Sequence, residues 1–476
     1  MRATIGAAVA IGVLVGCKGT GADSHDSAST RDTSSPHTGV VDTSAPVDSS
    51  VDDSAGRDSS GGHDTAGGGD TGATGPVFPG EATYDDADLL FHGGLTGAEA
   101  GPHLAWVDDS DGDGVAELAV TADGVDHAYV ASVEGSSNLF LAAGDYSAVE
   151  RGSGRTLASG DFDCDGASDL ALGSPSSDYD GHAYAYGAVY VQPGPLTGQV
   201  DLDTDAWAKL IGGSYEDWLG HVVRHIGDHD GDGCDDLAMS GQGNSDLYAV
   251  SGGTLSGGPV WLPDGHIHLE GRSGRTTQDL AGGDFDGDGF SDTVVVHDAL
   301  VSILRGPLPT TGRLADATDH DLEGLRLGRA DVGDLDRDGY DDLVVGGHRD
   351  RRALVFLAPS TSGSLTALAD LQVLSKDSDE YGTSVLALGP GLLGDVPGVV
   401  VSTGVMLYAW TGDTTGVVST STADLTVSAT DERPVAVGLV QGDLEGDGAA
   451  ELLFGVPDYR DETGAVLSAS LETWWP

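Results

Sequence analysis

Carboxylates recur in this chain in one fixed register. The stretch Asp334-Leu335-Asp336-Arg337-Asp338-Gly339-Tyr340-Asp341-Asp342-Leu343 places acids at positions 1, 3, 5 and 9 and glycine at position 6. Three alternating carboxylates, a sharp turn and a fourth carboxylate describe a small oxygen cage for a hard cation. Outside the cell, the ion of that type is Ca²⁺. The glycine permits the turn, and the carbonyl at position 7 can add an oxygen.

The same register begins six times, at Asp109, Asp161, Asp228, Asp284, Asp334 and Asp443. The expected ligands are Asp109, Asp111, Asp113 and Glu117; Asp161, Asp163, Asp165 and Asp169; and Asp228, Asp230, Asp232 and Asp236. They continue with Asp284, Asp286, Asp288 and Asp292; Asp334, Asp336, Asp338 and Asp342; and Asp443, Glu445, Asp447 and Glu451, for up to six Ca²⁺. Without an ion the four carboxylates of a loop repel one another and some of their pKa values rise. Ion binding is therefore expected to stabilise the fold.

An EF-hand begins similarly but needs a bidentate Glu at position 12 and helices on both sides. Position 12 here is Val120, Leu172, Met239, Val295, Val345 or Phe454, each in a β-like run. The EF-hand is thus excluded, and the elements that position the loops are strands.

The spacing of the loops says how those strands are organised. Loops start 50 to 67 residues apart until the last step, which is 109. A seventh copy therefore belongs near residue 390, and Leu388 to Val400 holds it in degraded form. Pro390, Leu392, Gly394 and Gly398 stand there in place of the acids, so that copy cannot bind metal. Seven repeats of this length, each with several strands, predict an all-β fold, a seven-bladed β-propeller with calcium loops in six blades. In one repeat, a strand at Trp218–Val223 precedes the cage, Leu237–Met239 leaves it, Leu247–Val250 is a third strand, and 261–269 contains an outer one. The chain ends without an outer strand for its last repeat. A spare strand at Asp88–His92 is expected to complete that blade and close the ring, leaving no exposed edge.

The loop resembles the FG-GAP repeat of integrin α-subunit propellers and of many bacterial propeller proteins. Leu219-Gly220, Leu327-Gly328 and Tyr381-Gly382 stand at that pattern's aromatic-glycine position, and Gly173-Ser174-Pro175 and Gly455-Val456-Pro457 at its exit. Gly187 to Val191 matches the next strand, and the resemblance runs from about residue 86 to the C-terminus. It implies a calcium-bearing propeller.

Composition narrows the partners. Asp and Glu number 78 against 21 Lys and Arg, a formal charge of −57. Nucleic-acid binding needs basic surface, so that partner class is excluded. No H-E-x-x-H and no G-x-S-x-G pattern occurs.

Ahead of the repeats, residues 1–17 read as an export leader, too short in its apolar part to span a bilayer. It ends in Leu14-Val15-Gly16-Cys17, which resembles a bacterial lipobox; the resemblance implies lipidation of Cys17. Several acyl chains make such anchoring stable, and by the same resemblance Lys18 after the Cys implies an outer-membrane lipoprotein of the cell envelope, with the leaflet and surface exposure left open. Residues 18–78 form a Ser/Thr/Gly/Asp-rich linker. From Lys18 to Val77 no Phe, Trp, Tyr, Leu or Ile occurs, so the segment cannot offset its ordering entropy and is expected to be disordered. The propeller then occupies 79–476.

Other residues invite weaker readings. Cys164 and Cys234 each lie inside a cage loop and read as small semi-buried residues, with pairing left open because geometry decides it. His266 and His268 alternate and so share a strand face, where a solvent-facing pair outweighs a metal pair. Tyr179 to Tyr186 is an aromatic insert expected between the second and third strands of its blade, on the face opposite the cages. Local packing is its first reading and carbohydrate or protein contact its second. Trp474 and Trp475 are expected to seal the closing blade.

The expected function is a non-enzymatic, calcium-stabilised, lipid-anchored propeller. It is monomeric, and it presents a binding, adhesion or scaffold face to a protein or glycan. The alternative is an envelope hydrolase or lyase with its site at the propeller centre or top loops. A central pocket lined by clustered His, Arg or paired carboxylates favours the enzyme, and a shallow, uncharged centre the binder. Fold alone does not decide between them.

Overall fold

A computed structural model describes residues 82–83, 88–92, 99–109, 115–122, 127–131, 139–140, 147–150, 156–177, 186–196, 200, 202, 206–214, 217–255, 257–262, 264–347, 350–374, 381–388, 398–403, 406–411, 416–428, 438–442, 450–457 and 465–470. The leader with Cys17, the linker, Asp111, Asp113, Asp443, Glu445, Asp447, the degraded loop, Tyr179 to Ala185 and the two C-terminal Trp lie outside the described residues.

The described strands form seven sheets, each a meander of antiparallel strands that is one propeller blade. Blade 3 shows the plan. Leu219–His225 pairs with Leu237–Gly241, that strand with Leu247–Val250, and that with Ile267–Glu270. The second strands carry the most apolar runs and are buried along their whole length, as in Asp292–His297 and Asp342–Gly347. They are covered on both faces because blades stack face to face. Val294, Val296 and Ile303 of blade 4 meet Leu343, Val345 and Leu354 of blade 5 in one core.

Ring closure follows the sequence expectation. Asp88–His92 pairs antiparallel with Ala465–Ser470, so the first long strand is the outer strand of the last blade. The degraded repeat also forms a blade, with Tyr381–Leu388 paired to Gly398–Thr403 around the loop that has no acid at the four ligand positions.

Two features were not foreseen. Six sheets have a fifth strand, a short parallel one lent by the following blade. Gly258–Trp261 of blade 3 lies along Ala208–Ile211 of blade 2, and Thr311–Arg313 of blade 4 along Ile267–Glu270 of blade 3. Each loan covers an outer edge that would otherwise expose its amides. The second feature is a bulge in the innermost strand, between Leu219 and Val222 in blade 3 and between Tyr381 and Ser384 in blade 6. Gly220 takes φ +89° there, and a Cβ at that residue would collide with the backbone of Ala188 and Ser174 in blade 2. Glycine in the Leu219-Gly220 pair thus serves close blade-to-blade approach.

Candidate metal centres

Four acid loops are described in full, those of blades 2 to 5. Each starts where the innermost strand ends and closes where the second strand begins. Gly160 ends one strand of blade 2 and Asp169 starts the next. The position-9 acid therefore sits at the mouth of a buried strand, and Asp169, Asp236, Asp292 and Asp342 are fully buried. Glu117 and Glu451, at the same position in blades 1 and 7, are buried too.

Three acids per loop converge. Carboxylate oxygens of Asp161, Asp163 and Asp169 lie within 4.8 Å of one another, and so do those of Asp228, Asp230 and Asp236. Asp284, Asp286 and Asp292 form the third such group, and Asp334, Asp336 and Asp342 the fourth. The acid at position 5 is outside these groups of three, and one of its oxygens is engaged by its own turn. Asp165 accepts the N–H of Ala167 at 2.9 Å, and Asp338 that of Tyr340 at 2.9 Å. Asp232 and Asp288 make the same local turn with Cys234 and Phe290. In blade 1 only Asp109 and Glu117 of the expected ligands are described, and in blade 7 only Glu451.

The position-9 acid has a second task. Asp169 accepts N–H bonds from Phe162 and Asp163 on one oxygen and from Gly194, beyond the third strand, on the other. Asp236, Asp292 and Asp342 repeat this with Gly252, Gly306 and Ala358. One carboxylate thus ties the loop to the end of the hairpin that follows.

Repulsion was expected to raise the carboxylate pKa values; burial is the larger cause. It pushes Asp169 up to about 7, against the opposing amide bonds, with the Asp163 charge adding to the rise. Asp292 and Asp342 are pushed up to about 6, again chiefly by burial. Desolvation disfavours the charged form of any acid at such a strand mouth.

The donor set fits a hard divalent cation. It consists of carboxylate oxygens, with no thiolate or imidazole within the four groups. In blade 5, Asp334 Oδ1 is buried with no hydrogen-bond partner, an expensive state for a carboxylate oxygen unless a cation faces it. In the blade 4 loop Arg305 is ion-paired with Asp286 and bonds Asp319 at 2.6 Å, and in the blade 3 loop the buried His229 ring is bonded to the Asp236 carboxylate. The guanidinium competes for a position-3 ligand.

Neighbouring loops are joined, which the sequence reading missed. The N–H of Asp235 in loop 3 reaches the carbonyl of Asp161 in loop 2 at 3.3 Å, and the Asp235 carboxylate takes the Asp161 N–H at 2.9 Å. Asp341 repeats both bonds on Asp284, and the Ser291 N–H reaches the Asp228 carbonyl. Cys164 and Cys234 form a disulfide across loops 2 and 3, with Cα atoms 5.5 Å apart. Comparing position 4 of one loop with position 7 of the next would have found the disulfide, and comparing position 1 with position 8 of the next the aspartate bridges.

The remaining candidates resolve more simply. His268 is stacked on Tyr248 at 4.8 Å and bonds Asp246 at 2.7 Å, so its ring is engaged with protein partners. Tyr186 lies between the second and third strands of blade 2 and meets Trp261 of blade 3 edge-on at 5.7 Å.

The axial channel is not the uncharged centre associated with a pure binder. It holds a cavity of about 470 Å³ lined by innermost strands. Arg224 pairs with Asp279 at 2.8 Å, and His225 with Asp235 at 3.0 Å. His103, also on the wall, is held well below the usual imidazole range by burial and then by Arg329, Arg224 and His221.

No family model matches the chain. Over 239 residues it is 28% identical to integrin alpha-PS2 of Drosophila melanogaster, a match covering 43% of this chain and 16% of that protein. The chain therefore spans a small part of the length of this curated relative. Among solved structures, a crystal structure of BBS1N in complex with ARL6DN, soaked with lead, aligns with a TM-score of 0.47 at 10% identity. The alignment covers 80% of this chain and 96% of that one. A mercury-soaked form of the same complex gives 0.46 at 11% identity.

Proposed function

We propose that this protein is a calcium-binding, lipid-anchored β-propeller of the cell envelope that acts as a binding, adhesion or scaffold module for a protein or glycan. Its Ca²⁺ ions staple the loops on one face. Binding falls to the opposite face, where loops such as that holding Tyr186 do not repeat. Cys17 carries the anchor, residues 18–78 hold the head away from the outer membrane, and the protein works as a monomer. The observation that carries the metal reading is the convergence of three carboxylates in each of four successive loops, with Asp334 Oδ1 buried and unpartnered. The likeness to an integrin alpha chain supports a binding role.

When bound, Ca²⁺ would supply charge neutralisation and cross-linking. Position-1, position-3 and position-5 acids would hold it from the turn and the position-9 acid from the strand mouth. The ion would thereby fix the end of the innermost strand against the second strand.

Pull-down from envelope extracts with the soluble propeller tests the binding role. Retention of a defined protein or glycan, weakened by substituting Tyr186, agrees with the proposal; no retained ligand contradicts it. A second reading, an envelope hydrolase or lyase, is favoured by one observation: the charged wall of the axial channel. Turnover of an envelope ester, peptide or glycan that is lost on substituting His103 would establish it in place of the first.

A further inference from the structure

The channel wall sets two arginines among four carboxylates, those of Asp108, Asp235, Asp279 and Asp331, inside a chain that is strongly acidic overall. Arg224 comes from the innermost strand of blade 3 and Arg329 from that of blade 5. Between them, on blade 4, stands Asp279, whose side chain is 1% exposed. This carboxylate is already heavily committed. Its Oδ1 takes Arg224 at 2.8 Å and the Leu280 N–H at 3.0 Å. Its Oδ2 takes the Ala330 N–H at 3.2 Å, while Arg329 lies 3.9 Å away, beyond hydrogen-bond reach.

Two guanidiniums thus share one carboxylate, and Arg329 has donors to spare. Burying like charges with one counter-charge is unfavourable, and an incoming anion relieves it. Burial also depresses the Arg329 pKa, with the Arg224 charge adding to the fall and Asp279 opposing it. Two further groups on the wall are poised to donate. His103 is kept neutral and so carries one ring N–H. Burial raises the Asp331 carboxyl to about 7, so that much of it is protonated at neutral pH. Asp235, also on the wall, has its charge engaged by His225. The cavity, about 470 Å³, is of small-molecule size.

We propose that the axial channel is a binding site for a small oxyanion, held between Arg224 and Arg329 with Asp279 as their shared spacer. The chemistry required is a compact anion with at least two acceptor oxygens, which a carboxylate or a tetrahedral phosphate- or sulfate-type group provides, since guanidinium forks match both. Arg224, Asp279 and Arg329 lie outside the acid loops, although Ser168 and Asp235 of those loops also line the cavity; failure of the anion site would leave the calcium reading and any ligand on the opposite face standing.

Calorimetric titration of the intact protein in calcium-containing, low-salt buffer tests it, with succinate and inorganic sulfate as separate probes. The expected result is one site per chain for at least one probe; succinate alone identifies a carboxylate site and sulfate alone a tetrahedral-anion site. R224Q and R329Q should each weaken binding by at least about tenfold. D279N should tighten it, because the competing internal anion is gone. R313Q, at an exposed arginine on the strand that blade 4 lends to the outer edge of blade 3, should leave it unchanged. Wild-type affinity for both probes weaker than about 1 mM overturns the proposal. So does wild-type affinity in both R224Q and R329Q. If an arginine variant does not fold, the wild-type stoichiometry and D279N decide, and unchanged or weaker binding in D279N overturns it.

Discussion

Cys164 at position 4 of one acid loop is bonded to Cys234 at position 7 of the next. The same pair of positions is filled differently further round the ring. Gly231 lies under the Phe290 ring, and Gly287 under that of Tyr340, close enough that a Cβ on either glycine would collide with the ring. In the four described loops position 4 is left-handed, with φ of +65° at Cys164, +79° at Gly231, +72° at Gly287 and +64° at Arg337. The disulfide is therefore the covalent version of a contact that other blades make with a glycine and an aromatic ring.

Reducing that bond should loosen blades 2 and 3. The cysteines are 70 residues apart, and closing a loop of that length in the unfolded chain is worth about 4 kcal/mol. C164S/C234S should unfold at lower urea concentration than wild type, with reductant giving the same loss. A midpoint unmoved by either would show the bond to be energetically idle.

Filling position 4 should cost stability where an aromatic covers it. In Gly287→Ala the added methyl meets the Tyr340 ring at a left-handed residue, whereas Gly289→Ala meets nothing within 4 Å while sharing the unfavourable φ. The difference between the two in urea melts isolates the ring contact. Equal losses would mean that backbone strain alone acts there.

Arg305 is expected to hold down the calcium affinity of the blade 4 loop by competing for Asp286. R305Q should tighten one class of Ca²⁺ sites in calorimetry and leave the others unchanged. Weaker binding at that class would mean that Arg305 organises the loop instead.

Protons should compete with Ca²⁺ at the strand mouths. Folded-state pKa values of about 7 at Asp169 and about 6 at Asp292 and Asp342 mean that these groups must lose protons to ligate. Affinity should fall as pH drops from about 8 to about 5, and binding near pH 6 should release protons. Flat affinity across that range would exclude the position-9 acids as ligands.

Asp331 carries a pH signature of the opposite kind, without metal. Its pKa is raised from 3.8 to about 7 on folding, so the folded state holds the extra proton. Its contribution to stability is fully present below the unfolded value and is lost as pH rises toward the folded one. In chelator, D331N should flatten the decline of stability between about pH 4 and 7. A decline as steep as that of wild type would assign it to other groups.

Much of this architecture was legible because the acid loops recur in register. Seven repeats, one without ligands, and the closing strand Asp88–His92 all followed from spacing and from the β-period of the flanking runs. What could not be read was whatever depends on two repeats at once. The lent fifth strands, such as Gly258–Trp261, are short and half-exposed, with no alternation of their own. The Asp235 and Asp341 bridges look like spare acids next to a ligand until the preceding loop is laid against them. The charged channel was invisible for the same reason, since Arg224, Asp279 and Arg329 come from three blades.

The central claim is that the loops are calcium staples, and thermal unfolding of the intact protein with excess Ca²⁺ and with chelator tests it most directly. Each occupied site adds about 2.7 kcal/mol at a hundredfold excess over its Kd, so several sites together should raise the melting temperature by many degrees. Melts that superimpose in calcium and in chelator would contradict the account.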